Sequence, residues 1–521
     1  MKKLLIILAL SCLCVFCFTG FTVCEKKDET EKQQGITLTD KRQGDVERVE
    51  NEETVSEFTV QVVGDLLQGV TLSGGEITQT VSEETPFTPI TVAAKYGYNY
   101  LYYVADGKKY CENVIDFGEI SENKTVQIVC EYATDELPVV NINTDGAEIN
   151  SKEEYVDMTF SIENCDDELT DISGGIRLRG NTTRGYDKKP YRIKFDKKQS
   201  LFGLESAKSW VLLADYLDPS CLHNYTALSL GNTLDGLAFT PTPHHVNVYL
   251  NGEYVGLYVL CEQVQENKGR IDIEKKITAD MTELKDFNFF ISMDKSVLED
   301  ATAVLDETYF YLSDYDRYIE LKYPEKSDFK SEEQFNCFFA QLKEYVKSLF
   351  DGFYNKDTAF IEANTNLSSL IDYLIIDEIM GEKDHASKSF NMYYVAAEEK
   401  LSFGPIWDYD WCLFTPWTNS PNTYYTVSDG MHYSNIFYQC VRNTPELYSR
   451  LKARYNEISS TVLGDFIDGI MLYEYSIAQS LNLNAGKWYT ELDEDITRKN
   501  VIFLNKFLLN RKRVLDSSWA I

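Results

Sequence analysis

Positive charge is what this 521-residue chain has least of: 50 Lys and Arg stand against 83 Asp and Glu, a formal net charge of −33. A field of that sign repels phosphate backbones and attracts metal cations and basic polypeptides, which excludes nucleic acid as a partner. Also absent is any CxxC pair or regular spacing among the eight cysteines past residue 24, namely Cys111, Cys130, Cys165, Cys221, Cys261, Cys337, Cys412 and Cys440. That argues against a structural zinc site. Cys111 and Cys130 flank two strand-like runs and either bridge in an oxidising compartment or stay as thiols. From residue 25 to 56 aromatic side chains are missing and charge dominates. Such a stretch cannot bury enough surface to order itself and reads as a disordered acidic linker, a tether.

What is present elsewhere is ample apolar material, 44% hydrophobic with 13% aromatic, enough core for two to four domains. Residues 1–24 place Lys2 and Lys3 ahead of an uncharged run from Leu4 to Cys24. This is the pattern of a secretory signal peptide, although the run is also long enough to span a bilayer and Cys12, Cys14, Cys17 and Cys24 invite lipid attachment. Cleaved signal, lipoprotein anchor and uncleaved membrane anchor all stay open, and each implies a secreted or cell-surface protein.

Residues 57–135 change to short β-rich runs separated by Gly, Asn and Asp turns, as in "FTVQVV" and "KTVQIVCEYA", and read as a small all-β module similar to extracellular β-repeats. Pro138 then marks a boundary. Strand signals run from Val139 to Leu260 and helical periodicity dominates after about Ser331. The expectation for 137–515 is therefore an α+β domain with a β-rich first lobe and a helical second lobe.

Three stretches carry chemistry. In "GGIRLRGNTTRGYDKKPYRIKFDKK" (174–198) the alternation of "YRIKF" puts Tyr191, Ile193 and Phe195 on one strand face and Arg192 and Lys194 on the other. A lysine on a rigid strand can pin an anionic oxygen, and the turn bracketed by Gly180 and Gly185 lets backbone amides approach a phosphate. In "VYLNGEYVGLYVLCEQV" the turn Asn251-Gly252 joins two strands, and Glu262 ends the second, placed to pair with Lys194 or to meet a nucleotide.

The third is "LSSLIDYLIIDEIMGEKDHASKSFNMYYVAAEEKLSFGPIWDYDW". Ile371, Leu374, Ile375 and Ile379 lie at helical spacing and Gly381 ends the helix, so Asp384 enters a loop directly after it. "FNMYYVA" reads as a strand with Asn391 at its start, and "LSFGPIWDYDW" as a second strand ending at Asp408. A hairpin of the two brings Asp384, Asn391 and Asp408 to one end. Grouped carboxylates repel, so a site that keeps them ionised holds a divalent cation, here Mg²⁺ or Mn²⁺ with bound phosphates, or Ca²⁺ in a stabilised loop. The remaining carboxylate can take a proton from a hydroxyl. Trp407 and Trp411 are assigned to core packing.

Together with "LFGLESAKSWVLLADYLDPSCLHNYTALSL" and the C-terminal "NTPELYSRLKARYNEI" and "FLNKFLLNRKRVL", these stretches resemble the CotH kinase family, spore-coat-associated and more broadly secreted atypical protein kinases, over about Leu137 to Leu515. The resemblance implies a two-lobed, protein-kinase-like domain, ATP as donor, a divalent metal, and Ser or Thr hydroxyls of exported proteins as acceptors. It makes Asp384 the catalytic aspartate and Lys194 the phosphate-binding lysine, with Arg179, Gly180 and Glu262 also on ATP. Asn391 and Asp408 hold metal, supported by Asp410. The Asp384 to Asn391 interval is longer than in ordinary protein kinases, HRD and DFG are absent, and Gly180 with Gly185 is not their glycine-rich loop.

Two other classes compete. One is a surface scaffold or adhesion protein, in which the β module binds a partner and the kinase-like domain is inactive. The other is glycoside hydrolysis by paired carboxylates such as Asp384 and Asp408, which needs an open sugar cleft without a phosphate-binding cation.

Overall fold

The computed structural model describes residues 56–521 except 65, 96–97, 133–136, 301, 383, 413–434 and 490–495. The signal or anchor expected at 1–24 and nearly all of the linker expected at 25–56 therefore lie outside the described residues. Among the described residues no helix is long and apolar enough to cross a membrane.

Residues 58–132 form strands with one short 3-10 turn. One sheet runs Thr78–Val81, Phe58–Val63, Lys124–Tyr132, Tyr98–Ala105, Lys108–Tyr110, and a smaller one joins Val70–Gly74, Ile90–Ala94 and Val114–Ile115. Alternating residues such as Val60, Val62, Val126 and Ile128 fill a core of their own. Cys111 and Cys130 are separate thiols, as are the other six described cysteines, so the bridge left open for that pair is not formed.

The next strands close into a barrel in the order Val156–Glu163, Leu169–Leu178, Tyr191–Gln199, Ala207–Leu213, Glu253–Glu262, His244–Leu250, Val139–Asn143. Closure follows from alternation, since one face of every strand is apolar and the only place to bury all of those faces is a shared interior. Phe160 and Phe195 meet edge to face at 5.1 Å inside it, with Trp210, Ile193 and Leu260 buried around them. Ala207–Leu213 and Glu253–Glu262 are apolar on both faces, because Val211, Leu213, Val259 and Cys261 point outward into the larger core that the helices build. The turn Asn251-Gly252 has both residues at positive φ, 51° and 83°, as a tight hairpin requires.

Beyond the barrel stands a five-stranded sheet, Tyr309–Leu312, Arg317–Tyr323, Phe289–Met293, Phe390–Val395, Lys400–Phe403, packed by helices. Helices dominate after Ser331 as expected, but strands from both sides of that residue meet in one sheet, and that sheet carries much of the site. Helix Glu332–Tyr354 starts where Ser331 Oγ accepts from Gln334 N at 3.1 Å. It buries Phe335, Phe338, Phe339, Leu342 and Val346 at helical spacing. Helix Leu367–Met380 is buried nearly all round and stops at Gly381, whose φ of 60° is left-handed. A side chain there would strike Phe507 at 2.9 Å, so glycine answers both the turn and the close approach. The whole is a mixed α+β protein.

Candidate active site

The turn Asp384–Ala386 begins three residues after Gly381, and Phe390–Val395 pairs antiparallel with Lys400–Phe403, as the hairpin expectation has it. The second strand, however, ends at Phe403. Asp408 sits five residues on, in a loop, with φ 72°, a left-handed conformation uncommon for a side-chain-bearing residue.

Neighbours hold that loop. His385 Nε2 donates to the Trp407 carbonyl at 2.7 Å, Asn224 Oδ1 accepts from Tyr409 N at 2.8 Å, and Tyr409 OH donates to Asp377 Oδ1 at 2.6 Å. Ser389 Oγ donates to Asp408 Oδ2 at 3.0 Å. Asn224 is itself oriented by donating to Asp215 Oδ1 at 2.6 Å. A chain of bonds thus runs from the barrel loop at Asp215 to the peptide between Asp408 and Asp410.

The result is a cleft of about 240 Å³ between barrel loops and the second sheet. The barrel side supplies Arg179 to Thr183, Gln263 and Val264. The opposite side supplies Ser292, Asp294, Lys322, Asp384, Lys388, Asn391, Asp408 and Asp410. Of the residues singled out in the sequence, Asp384, Asn391, Asp408, Asp410, Arg179 and Gly180 all line it.

Lys194 and Glu262 are not among its lining residues. Lys194 points outward from the barrel, exposed, with its ammonium 5.9 Å from the Tyr155 ring. Its strand is one stave of a closed barrel, so the polar face must be the solvent face. The expected facing of Lys194 and the acidic hairpin is therefore not met. Glu262 is buried, accepts from Thr242 N at 2.7 Å, and has its pKa raised by burial. Because side chains alternate, its neighbour Gln263 reaches the cleft instead. The assignment to the core holds for Trp407, which is half-buried and packs against the main core while also lining the cleft, and fails for Trp411, which is 43% exposed and lines the cleft.

Arg179 occupies the place expected of Lys194. Its guanidinium lies 5.2 Å from the Trp407 ring and makes no hydrogen bond with a described residue. Burial draws its pKa down, while Asp408, Asp410 and Asp215 pull the other way. On the far wall, Lys322 is committed to Glu320 at 2.7 Å, whereas Lys388, which also lines the cleft, has its backbone N bonded to Asp384 O at 2.8 Å.

The acids are strained by one another. Burial, then Asp408 and Asp215, hold Asp410 well above the usual carboxylate range, with Arg179 opposing. Burial and then Asp218 push Asp215 up to about 7, and its Oδ2 is buried with no hydrogen-bond partner. Burial works against charge on His385, but Asp377 and Glu382 outweigh it and raise its pKa to about 10.

Among the described residues no three His, Cys, Asp or Glu side chains stand close enough to hold a metal by themselves. The donor set nevertheless suits a hard cation that arrives with phosphates, since Mg²⁺ is usually held by one or two carboxylates with waters and substrate oxygens completing the shell. Asn391 Nδ2 is committed to the Pro405 carbonyl at 2.9 Å, which leaves Oδ1 for a cation, and Asp408 is exposed to the cleft.

Asp294, Ser292, Lys322, Asp215 and His385 also belong to this region and were not singled out in the sequence as site residues. Only His385 had a local signal, its place beside Asp384. The others come from strands and loops far away in the chain.

Carboxylates, an amide and basic side chains from distant parts of the chain thus converge on one cleft. Residues 176–515 match the family described as CotH kinase protein, and the chain belongs to that family. A comparison with curated proteins returned no match.

Proposed function

We propose that the protein is a secreted or surface-anchored, metal-dependent kinase that transfers the γ-phosphate of ATP to Ser or Thr hydroxyls of exported proteins. In this reading the barrel and the sheet with its helices act as the two lobes of a kinase-like unit. The observation that carries it is the convergence of Arg179, Asp384, Asn391, Asp408 and Asp410 on one cleft. Arg179 and Lys388 both line this cleft, and basic side chains there suit phosphate better than a neutral sugar.

Asp384 accepts the proton of the acceptor hydroxyl, its backbone carbonyl held by the amides of Ser387 and Lys388. Asn391 and Asp408, with Asp410 behind them, would hold Mg²⁺ or Mn²⁺, which supplies charge neutralisation to the transferring group when bound. Arg179 orients phosphate oxygens from the barrel side in place of Lys194.

The test is transfer of labelled γ-phosphate by the full chain to a mixture of exported proteins, with Mn²⁺ or Mg²⁺. Asp384→Asn is expected to cut transfer by about 10²-fold or more while ATP with metal still raises the thermal midpoint of both proteins. Wild type and variant equally silent would defeat the enzyme reading, and absence of any ATP-dependent midpoint shift would favour the scaffold.

A further inference from the structure

Two loops bring carboxylates to the cleft, the turn Asp384–Ala386 and the segment 407–410, and one buried ring touches both. We propose that His385 is a positioning residue for the cleft's cation: bonded at both ring nitrogens, it fixes the acidic segment 407–410 against the turn that carries Asp384. The inference rests on the kinase reading above.

His385 is fully buried. Its Nε2 donates to the carbonyl of Trp407, the residue before Asp408, at 2.7 Å. Its Nδ1 donates at 2.9 Å to Asp377 Oδ1, the same oxygen that takes the hydroxyl of Tyr409, the residue after Asp408. The ring also stands edge-on to Tyr409 at 5.0 Å. The residue before Asp408 is thus bonded to the ring directly, and the residue after it is linked to the ring through Asp377. Both partners are acceptors, so both nitrogens must carry protons and neither tautomer of a neutral ring would serve. The backbone carbonyl of His385 is fixed in turn by Asn435 Nδ2 at 3.0 Å.

The held segment needs such a brace. Asp408 adopts a left-handed φ of 72° in a segment outside any strand or helix, so its position depends on the contacts made by its neighbours. Asn224 grips Tyr409 N from the barrel side, so removing His385 frees the Trp407 end while leaving the other end attached. The expected consequence is a carboxylate displaced from its cation without loss of the fold.

The experiment uses the full chain as wild type, His385→Gln and Asp377→Asn. Mn²⁺ binding is titrated by electron paramagnetic resonance in the presence of a non-transferable ATP analogue. Metal-free nucleotide binding is measured separately with a fluorescent ATP analogue in chelator. Loss of an outer-sphere brace weakens metal binding by about 10- to 100-fold, and that range is expected in both variants with metal-free nucleotide binding unchanged. Folded variants that match wild type in Mn²⁺ affinity overturn the proposal, as do variants that lose both affinities in parallel. Should His385→Gln not fold, Asp377→Asn, which keeps the ring and removes only the charge at Nδ1, carries the comparison. Wild-type protein that takes up no Mn²⁺ with the analogue overturns the kinase reading itself, and this inference with it.

Discussion

Replacing Arg511 by methionine tests how the last helix supports the site. Helix Ile496–Ser518 sends Arg511 into the core, where its guanidinium pairs with the Glu378 carboxylate and its Nε donates to the Glu378 carbonyl at 2.6 Å. Both side chains are almost fully buried, at 2% and 3% exposure. Glu378 lies in the helix that ends at Gly381, just ahead of the Asp384 turn. Removing one member of a buried ion pair strands the other, at a cost of about 3–5 kcal/mol. With a urea m-value of about 3 kcal/mol/M, the unfolding midpoint should fall by about 1–1.7 M. Tryptophan fluorescence can follow it, since Trp519 packs edge-on against Tyr455 at 5.1 Å beside the same helix. Adding Glu378→Gln should recover much of the loss, because the stranded carboxylate is then gone. The half-exposed pair Lys512 and Asp516 serves as control, and Lys512→Ala should cost under about 1 kcal/mol. A midpoint for Arg511→Met within the range of that control would refute the reasoning.

Two further outcomes are expected. Arg179→Ala should lower kcat/KM for phosphate transfer by about 10²-fold or more, as loss of a preorganised charge does, while Lys194→Ala should transfer like wild type; equal effects from both would contradict the assignment to the cleft. His245 is buried with its pKa pushed down from 6.5 to about 4, burial acting first and the Cys221 carbonyl opposing. Its folded value lies below its unfolded one, so the stability it contributes is complete above about 6.5 and is lost as pH falls toward 4, at up to about 1.4 kcal/mol per pH unit for one proton. His245→Gln should flatten that slope in urea titrations across the same window, and an unchanged slope would assign it to other groups.

The local elements were readable because their signals are local. Apolar spacing around Ile371 to Ile379 with a terminal glycine yields a buried helix, and Asn251-Gly252 between two β-rich runs yields a hairpin. The alternation in "YRIKF" likewise assigned Tyr191, Ile193 and Phe195 to one buried face. It could not say what the other face meets. The site was legible where its residues are neighbours in the chain, as Asp384, Asn391, Asp408 and Asp410 are, and much less so where it draws on Ser292, Asp294 and Lys322.

What the sequence determined alone is therefore the inventory: an acid-rich, aromatic-rich chain with a carboxylate-bearing hairpin after a buried helix, in the order of one kinase family. Side-chain period and turn chemistry act over a few residues, and a linear reading captures them. Which cation meets those carboxylates was decided by barrel closure. A closed sheet has one interior and one exterior, so Lys194 is sent to water, while Arg179, where the chain leaves the strand, is free to turn into the cleft. The exposure of Trp411 and the bond from His385 to the Trp407 carbonyl ahead of Asp408 have the same origin, contacts between segments that only the folded chain makes adjacent.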